Sequence, residues 1–472
     1  MKIFHLSAEC YPVAKVGGLG DVVGALPKYL NQMGHHASVV MPFYDRKFTR
    51  EHEFDVVFEG STLLGKIRYE FQILKEKTNV LGFELFMVKA PGLLDRENIY
   101  SYPDETEQFV FFQLAFLDWI YWSQQKPDVI HCHDHHSGLV PFLLYHSALY
   151  RRLANTPTVL TIHNGQYHGA FSWDKSYYLP EIDQSQSGLL DWRGGINPLA
   201  SAVKCAWKFS TVSPSYLHEL TIKSNGLEYL FYTEYKKGVG IINGIDTQVW
   251  DPATDSMLTA NYSTKTIDAG KLKNKQALCE RFGLSPDKPL FSFIGRLVDE
   301  KGADLLPAII RSSLDEHNEE LNFMILGSGD TEVEHALLEL KEQYPQSCAV
   351  YIGYNEELAH QVYAGADFLL MPSRVEPCGL NQLYSLRYGT VPIVRNTGGL
   401  KDSIIDFGED GGYGIKFNNI RAEEAVHAVS RAYELYKNTP HLQQIRKTMM
   451  KLDFSWDKSA KEYINLYESL KL

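Results

Sequence analysis

Apolar residues gather in short continuous runs along the chain, and between the runs they return every three or four positions, the spacing of an amphipathic helix. Runs of this kind, alternating with helical spacing, predict parallel strands buried on both faces and covered by helices. The first half gives strands at 2–6, 38–41, 83–88, 129–131, 158–162 and 210–212. A second series follows at 290–294, 322–326, 349–352, 368–371 and 391–394. The pattern therefore predicts an α/β protein with two doubly wound parallel sheets. Gly, Asn, Asp and Pro cluster at 241–255, between the two series, and place the boundary there. The segments are then 1–241, 242–455 and a last stretch, 456–472, where Ala460, Tyr463, Ile464 and Tyr467 stand at helical spacing. Ligands in open α/β sheets sit beyond the carboxyl ends of the strands. Two facing sheets would put a site in the cleft between them, so chemistry is expected just after strands.

Totals narrow the function classes. The chain has 472 residues and a net charge of −12, which argues against a nucleic-acid partner. No apolar stretch reaches membrane-spanning length, and the opening run reads as a strand rather than a signal peptide. Six cysteines lie far apart without a C-x-x-C pair, which suggests free thiols in a reducing cytoplasm.

Lys15-Val-Gly-Gly-Leu-Gly-Asp21 follows the first strand and leads into a helix. Its glycines do not fit the dinucleotide fingerprint, because Gly18, Gly20, Val23 and Gly24 put the third glycine one residue late. Gly17 and Gly18 would allow positive φ and close approach, and Lys15 supplies a cation, so the loop can receive a diphosphate. A tight turn with a surface lysine and a capping aspartate fits equally well. In Ser373-Arg-Val-Glu376-Pro-Cys378-Gly379-Leu380, after the strand at 368–371, the acid stands before a proline and outside the helix that follows. A carboxylate there suits sugar hydroxyls, and the amides of Cys378, Gly379 and Leu380 suit phosphate. Thr397-Gly398-Gly399 offers a weaker second phosphate cradle. Arg296 and Lys301, after the first strand of the second series, could neutralise a leaving diphosphate without a metal.

The run His131-Cys-His133-Asp134-His135-His136 has the look of a zinc site. Strand alternation points His131 and His133 to one face, but no distant C-x-x-C or H-x-x-x-H completes a shell, and no metal is expected. The competing reading is a cleft wall that bonds sugar hydroxyls through His133, Asp134 and His135. His163 and Asn164 end another strand, and a satisfied core histidine is the plain alternative for His163.

Taken together, the stretches SAECYPVAKVGGLGDVVGALP, DVIHCHDHHSGLVP, LTIHNGQYHG, INGIDTQVWDPATD, IGRLVDEKGADLL and PSRVEPCGLNQLYSLRYGTVPIVRNTGGLKDS, with the tail FSWDKSAKEY, resemble bacterial glycogen synthases and plant starch synthases. These are retaining glucosyltransferases of the GT-B fold. The resemblance implies two Rossmann-like domains facing across a deep cleft, an acceptor-side first domain, a donor-side second domain, and a C-terminal helix returning to the first. It implies ADP-glucose as donor, an α-1,4-glucan such as glycogen or a maltooligosaccharide as acceptor, and no cofactor. By the same resemblance Lys15, Gly18 and Asp21 contact the donor, and Arg296 and Lys301 stabilise the departing diphosphate. Glu376 holds glucose near the reacting centre, with Cys378, Gly379, Leu380 and Thr397 around sugar and phosphate. His163 lies beside the anomeric carbon, Asn243 is a further sugar contact, Tyr354 stacks on the base, and Asp134 and His135 fall on the acceptor side. His135 stands where the family usually has tryptophan, and His168 where it commonly has glutamine. These departures keep open a catalytically silent glucan-binding or nucleotide-sensing protein.

Overall fold

The computed structural model describes residues 1–470, so the last two positions of the predicted segment 456–472 lie outside the described residues. The chain forms two units, one made of Met1–Gly244 together with the segment from Trp456, the other of Ile245–Ser455. Among the described residues no helix is long and apolar enough to cross a membrane.

The first unit holds β1 (Lys2–Leu6), β2 (His36–Pro42), β3 (Phe54–Leu64), β4 (Ile67–Glu76), β5 (Glu84–Lys89), β6 (Val129–His133), β7 (Thr158–Ile162), a two-residue hairpin β8 (Asp191–Trp192) and β9 (Gly195–Ile196), then β10 (Lys208–Thr211) and β11 (Gly238–Gly240). Nine of these form one sheet in the order β11-β10-β7-β6-β1-β2-β5-β4-β3. The apolar runs of β1, β6 and β7 are buried on both faces, as the continuous pattern requires.

The sheet is not wholly parallel. β3 pairs antiparallel with β4, and β4 with β5. These two long strands at the margin of the sheet, with β3 as its edge, escaped the apolar-run reading because β3 alternates exposed and half-buried positions instead of forming a continuous run. Gly65, at φ +64°, makes the tight turn between them.

The second unit contains β12 (Leu290–Ile294), β13 (Asn322–Gly327), β14 (Cys348–Ile352), β15 (Phe368–Met371), β16 (Val391–Arg395) and β17 (Ile415–Phe417), all parallel, in the order β14-β13-β12-β15-β16-β17.

The helix Trp456–Glu468 belongs to the core of the first unit. Trp456, Ala460, Tyr463 and Tyr467 pack with Ile3, Val22, Leu26 and Val129. Its polar anchor is buried too: the Tyr467 hydroxyl lies 2.7 Å from His131 Nδ1, and His131 Nε2 lies 2.6 Å from Thr161 Oγ1.

Candidate active site

Each sheet reverses its strand order once, and a crevice opens at such a reversal because the flanking connections leave in opposite directions. In the first sheet the reversal lies between β1 and β6, in the second between β12 and β15. Lys15 follows β1, Asp134 and His135 follow β6, and His163 follows β7. Arg296 and Lys301 follow β12, and Glu376 follows β15. Most of the candidate residues thus stand at or beside the switch point of their own sheet.

In the glycine loop, a buried acid that sequence spacing did not single out holds the backbone. Glu9 Oε2 accepts hydrogen bonds from Val16 N at 2.7 Å and Gly17 N at 3.0 Å, while Tyr100 donates its hydroxyl to Oε1 at 2.6 Å. Gly17 has φ −137° and Gly18 is the first residue of the helix Gly18–Gln32, so positive φ is not what these glycines provide. Their use is space: a Cβ at either position would meet nothing within 4 Å, and the open side is where a ligand can approach the backbone. Gly24 differs, since a Cβ there would lie 2.4 Å from the Tyr11 carbonyl. Lys15 Nζ pairs with Asp21 Oδ1 at 2.6 Å, which joins two of the residues that the sequence reading assigned to the donor. Burial raises the Asp21 carboxyl above its usual range, and Lys15 opposes the rise.

β6 runs two residues beyond its predicted end and carries His133 into the sheet. His133 is fully buried; its Nε2 shares a hydrogen bond with His5 Nδ1 at 3.0 Å and its Nδ1 one with His163 Nε2 at 2.9 Å. It therefore forms no part of a sugar-binding wall, contrary to the sequence reading. His5, His131 and His133 do offer three ring nitrogens within 4.8 Å of one another. A tetrahedral ion with bonds near 2.0–2.1 Å needs nitrogens about 3.3 Å apart, whereas contacts of 2.6–3.0 Å with rings and hydroxyls are hydrogen-bond distances.

Asp134 ends the strand with φ 54° and ψ −170°, a region that only glycine adopts without strain. Its Oδ1 accepts the His163 N–H at 2.7 Å, and burial pushes its carboxyl up to about 7. His135 packs against His136 with ring centroids 3.8 Å apart and the planes tilted by 36°, and Gly169 leaves the room its ring occupies, since a Cβ would fall 2.3 Å from His135 Cδ2. Burial lowers His135 to about 4, so the ring is neutral at physiological pH. Asn243 is buried and its Oδ1 has no partner among the described residues. His168 Nε2 faces the carbonyls of Gly165 at 3.1 Å and Ser224 at 3.0 Å, which gives that substitution a structural role.

Asp134→Asn tests the buried-acid account. A carboxyl at about 7 in the folded chain and 3.8 when unfolded binds more protons folded than unfolded between those values. Stability therefore falls as pH rises through that window, and the full penalty stands above pH 7. Asparagine keeps an acceptor for the His163 N–H and has no charge to bury. The variant is expected to match the parent near pH 4 and to exceed it at pH 8 by up to about 4 kcal/mol, read from melting curves at both pH values. Equal melting at pH 8 would refute the account.

In the second unit Lys301 Nζ lies 2.8 and 2.7 Å from the two carboxylate oxygens of Glu376, and Ser373 donates its hydroxyl to Oε2 at 3.1 Å. The glutamate is buried, the lysine partly exposed. Gly302, at φ +68°, lets the lysine turn press on the glutamate loop: a Cβ there would overlap the Pro372 carbonyl at 2.0 Å. Arg296 is largely exposed, with Glu300 at 3.6 Å, and does not join the pair.

Two side chains that spacing did not flag shape the next turn. Asn381 Nδ2 donates to the Ile294 carbonyl at 2.6 Å, and Gln382 Nε2 donates to the carbonyls of Cys378 and Gly379 at 2.9 Å each. Because a trans peptide opposes its N–H to its C=O, the amides of Gly379 and Leu380 point away from Gln382.

The pair Gly398-Gly399 has a packing reason. A Cβ on Gly398 would lie 2.0 Å from the Glu376 carbonyl and one on Gly399 2.0 Å from that of Cys378, while the Gly399 N–H already donates to Glu376 O at 3.0 Å. Thr397 beside them is buried. Tyr354, after β14, is 84 % exposed.

Two family models match the chain, one in each unit. Residues 2–232 match the family model of the starch synthase catalytic domain and residues 274–449 that of glycosyl transferases group 1. A glycogen synthase from Flavobacterium johnsoniae is 52% identical over 99% of this chain and 98% of its own length. One from Bacillus cereus is 38% identical over the whole of both chains. Among solved structures, the catalytic domain of starch synthase IV from Arabidopsis thaliana, bound to ADP and acarbose, superposes with a TM-score of 0.89 at 31% identity, covering 99% of each chain. Sucrose-phosphate synthase from Thermosynechococcus elongatus, at 17% identity and a TM-score of 0.61, shares the fold. The chain is a GT-B glucosyltransferase and belongs to the glycogen synthase and starch synthase family.

Proposed function

We propose that this protein transfers glucose from ADP-glucose to the non-reducing 4-hydroxyl of an α-1,4-glucan, with retention of anomeric configuration. The observation that carries the reading is the buried Glu376 paired with Lys301 at the switch point of the second sheet, beside the turn whose amides face away from Gln382. Transfer must stabilise an oxocarbenium-like sugar and a leaving diphosphate together, so a carboxylate and cations fixed in advance are what the reaction needs.

In this reading Glu376 holds the glucose hydroxyls, Lys301 and Arg296 take the diphosphate charge, and the amides of Cys378, Gly379 and Leu380 bind phosphate or sugar. Lys15, Gly18 and Asp21 contact the donor, Asn243 and His163 the sugar, Tyr354 the base, and Asp134 with His135 the acceptor. Fixed cations and oriented amides do the work that a divalent ion does elsewhere, so the reading calls for no metal. ADP in the plant relative's structure favours adenine in the donor. Cysteines without disulfides fit a reducing cytoplasm as its compartment.

Incubation with glycogen and either ADP-glucose or UDP-glucose, followed by nucleotide release and glucan extension, tests the proposal. ADP-glucose is expected to give the higher kcat/KM. Absence of release from both donors would overturn the reading in favour of a silent glucan binder. His168 no longer motivates that rival, because its ring nitrogen is engaged by two main-chain carbonyls.

A further inference from the structure

Three imidazoles in the first unit form a line of hydrogen bonds that the reaction scheme above does not use. His5 Nδ1 lies 3.0 Å from His133 Nε2, and His133 Nδ1 lies 2.9 Å from His163 Nε2. The remaining nitrogens at the two ends, His5 Nε2 and His163 Nδ1, are buried and have no hydrogen-bond partner. All three rings are neutral near pH 7, since burial holds each far below the ordinary histidine range.

A neutral imidazole carries one proton, so the three protons must all point the same way along the line. Either each ring donates towards His163, which leaves a bare lone pair on His5 Nε2 and an N–H on His163 Nδ1, or each donates towards His5 and the ends are exchanged. Both arrangements leave one N–H without an acceptor, and a buried N–H is the costlier group to orphan. His5 is 0% exposed within β1, the middle strand of the sheet, whereas His163 is 8% exposed at a strand's carboxyl end. Of the two ends, that of His163 stands at the carboxyl edge of the sheet, where a ligand can come against it.

We propose that His5 and His133 are positioning residues that fix the tautomer of His163, so that its Nδ1–H is held ready as a donor to an oxygen of the sugar substrate. This rests on the reading that His163 stands beside the transferred sugar. The fixed tautomer removes the need to move a proton or turn the ring when substrate binds, which is the advantage of a donor arranged before the reaction.

Long-range proton–nitrogen spectra of the full chain labelled with nitrogen-15 at histidine, with His163→Gln assigning the signal, test it directly. In the parent, His163 is expected to carry its proton on Nδ1 alone. His5→Phe, of similar volume, removes the first donor, so His163 should become a mixture of tautomers. Then kcat should fall about tenfold, the loss expected when one transition-state hydrogen bond is no longer arranged in advance, while KM for ADP-glucose changes little. His5→Asn, whose amide nitrogen falls near the place of Nδ1, should restore both readouts. A parent His163 protonated on Nε2, or a His5→Phe variant with unchanged tautomer and kcat, would overturn the relay. The parent spectrum decides even if His5→Phe fails to fold. It is also independent of turnover, so a relay that fails and a glucosyltransferase reading that fails give different results.

Discussion

Glu376→Ala is expected to lower kcat for ADP release about a thousandfold, a loss of the size seen when a single preorganised electrostatic group is removed from an active site. The carboxylate is buried yet bonded three times, twice by Lys301 and once by Ser373, so its orientation is fixed before substrate arrives. Alanine removes the group that would meet the sugar hydroxyls and releases the lysine that would meet the diphosphate. Because the lysine is partly exposed, water can take over its solvation, and the fold should survive with a modest drop in melting temperature. Glu376→Gln separates charge from shape: it keeps a hydrogen-bonding head, loses the ion pair, and is expected to lose nearly as much kcat with less loss of affinity. A double variant with Lys301→Ala should lose less than the sum of the two single effects, since the partners act as one unit. A Glu376→Ala enzyme within tenfold of the parent would exclude this acid from the chemistry.

Gly302→Ala is the second large effect, and it acts on backbone geometry instead of charge. The residue sits at φ +68°, and an added Cβ would lie 2.0 Å from the main-chain carbonyl of Pro372. The conformation alone costs alanine about 1 kcal/mol, and relieving the overlap must shift either the lysine turn or Pro372. Since Lys301 precedes the glycine and Glu376 follows Pro372 by four residues, any relief pulls the ion pair apart. A displacement near 1 Å costs about a hundredfold in rate, so kcat should fall by that order and stability by about 3 kcal/mol. Chemical denaturation and ADP release on the same sample check both. A variant that melts like the parent would mean that the turn yields more easily than its contacts indicate.

How much of this was legible beforehand depends on the reach of the interactions. Continuous apolar runs reveal buried parallel strands, and β1, β7, β12 and β15 lie where that pattern put them, each followed by its motif. β3 and β4 were missed because an edge hairpin needs only one buried face. The acid and glycine at Glu376 and Gly379 could be found from their neighbours in sequence. Glu9 holding the glycine loop, Gln382 clamping the Cys378 turn and His5 meeting His133 could not, since each depends on a partner brought near by folding. The packing role of the glycine pair at 398–399 was hidden for the same reason: the sequence shows small residues, while the contact that demands them belongs to the Glu376 loop.

The late helix Trp456–Glu468 also constrains how the protein is made. Ile3, Val22 and Val129 are translated early but pack against side chains that leave the ribosome only after the whole of the second unit. A nascent chain must therefore carry an unsealed apolar groove, with His131 lacking its tyrosine, until the second unit has been made. The unit that begins first is the last to mature.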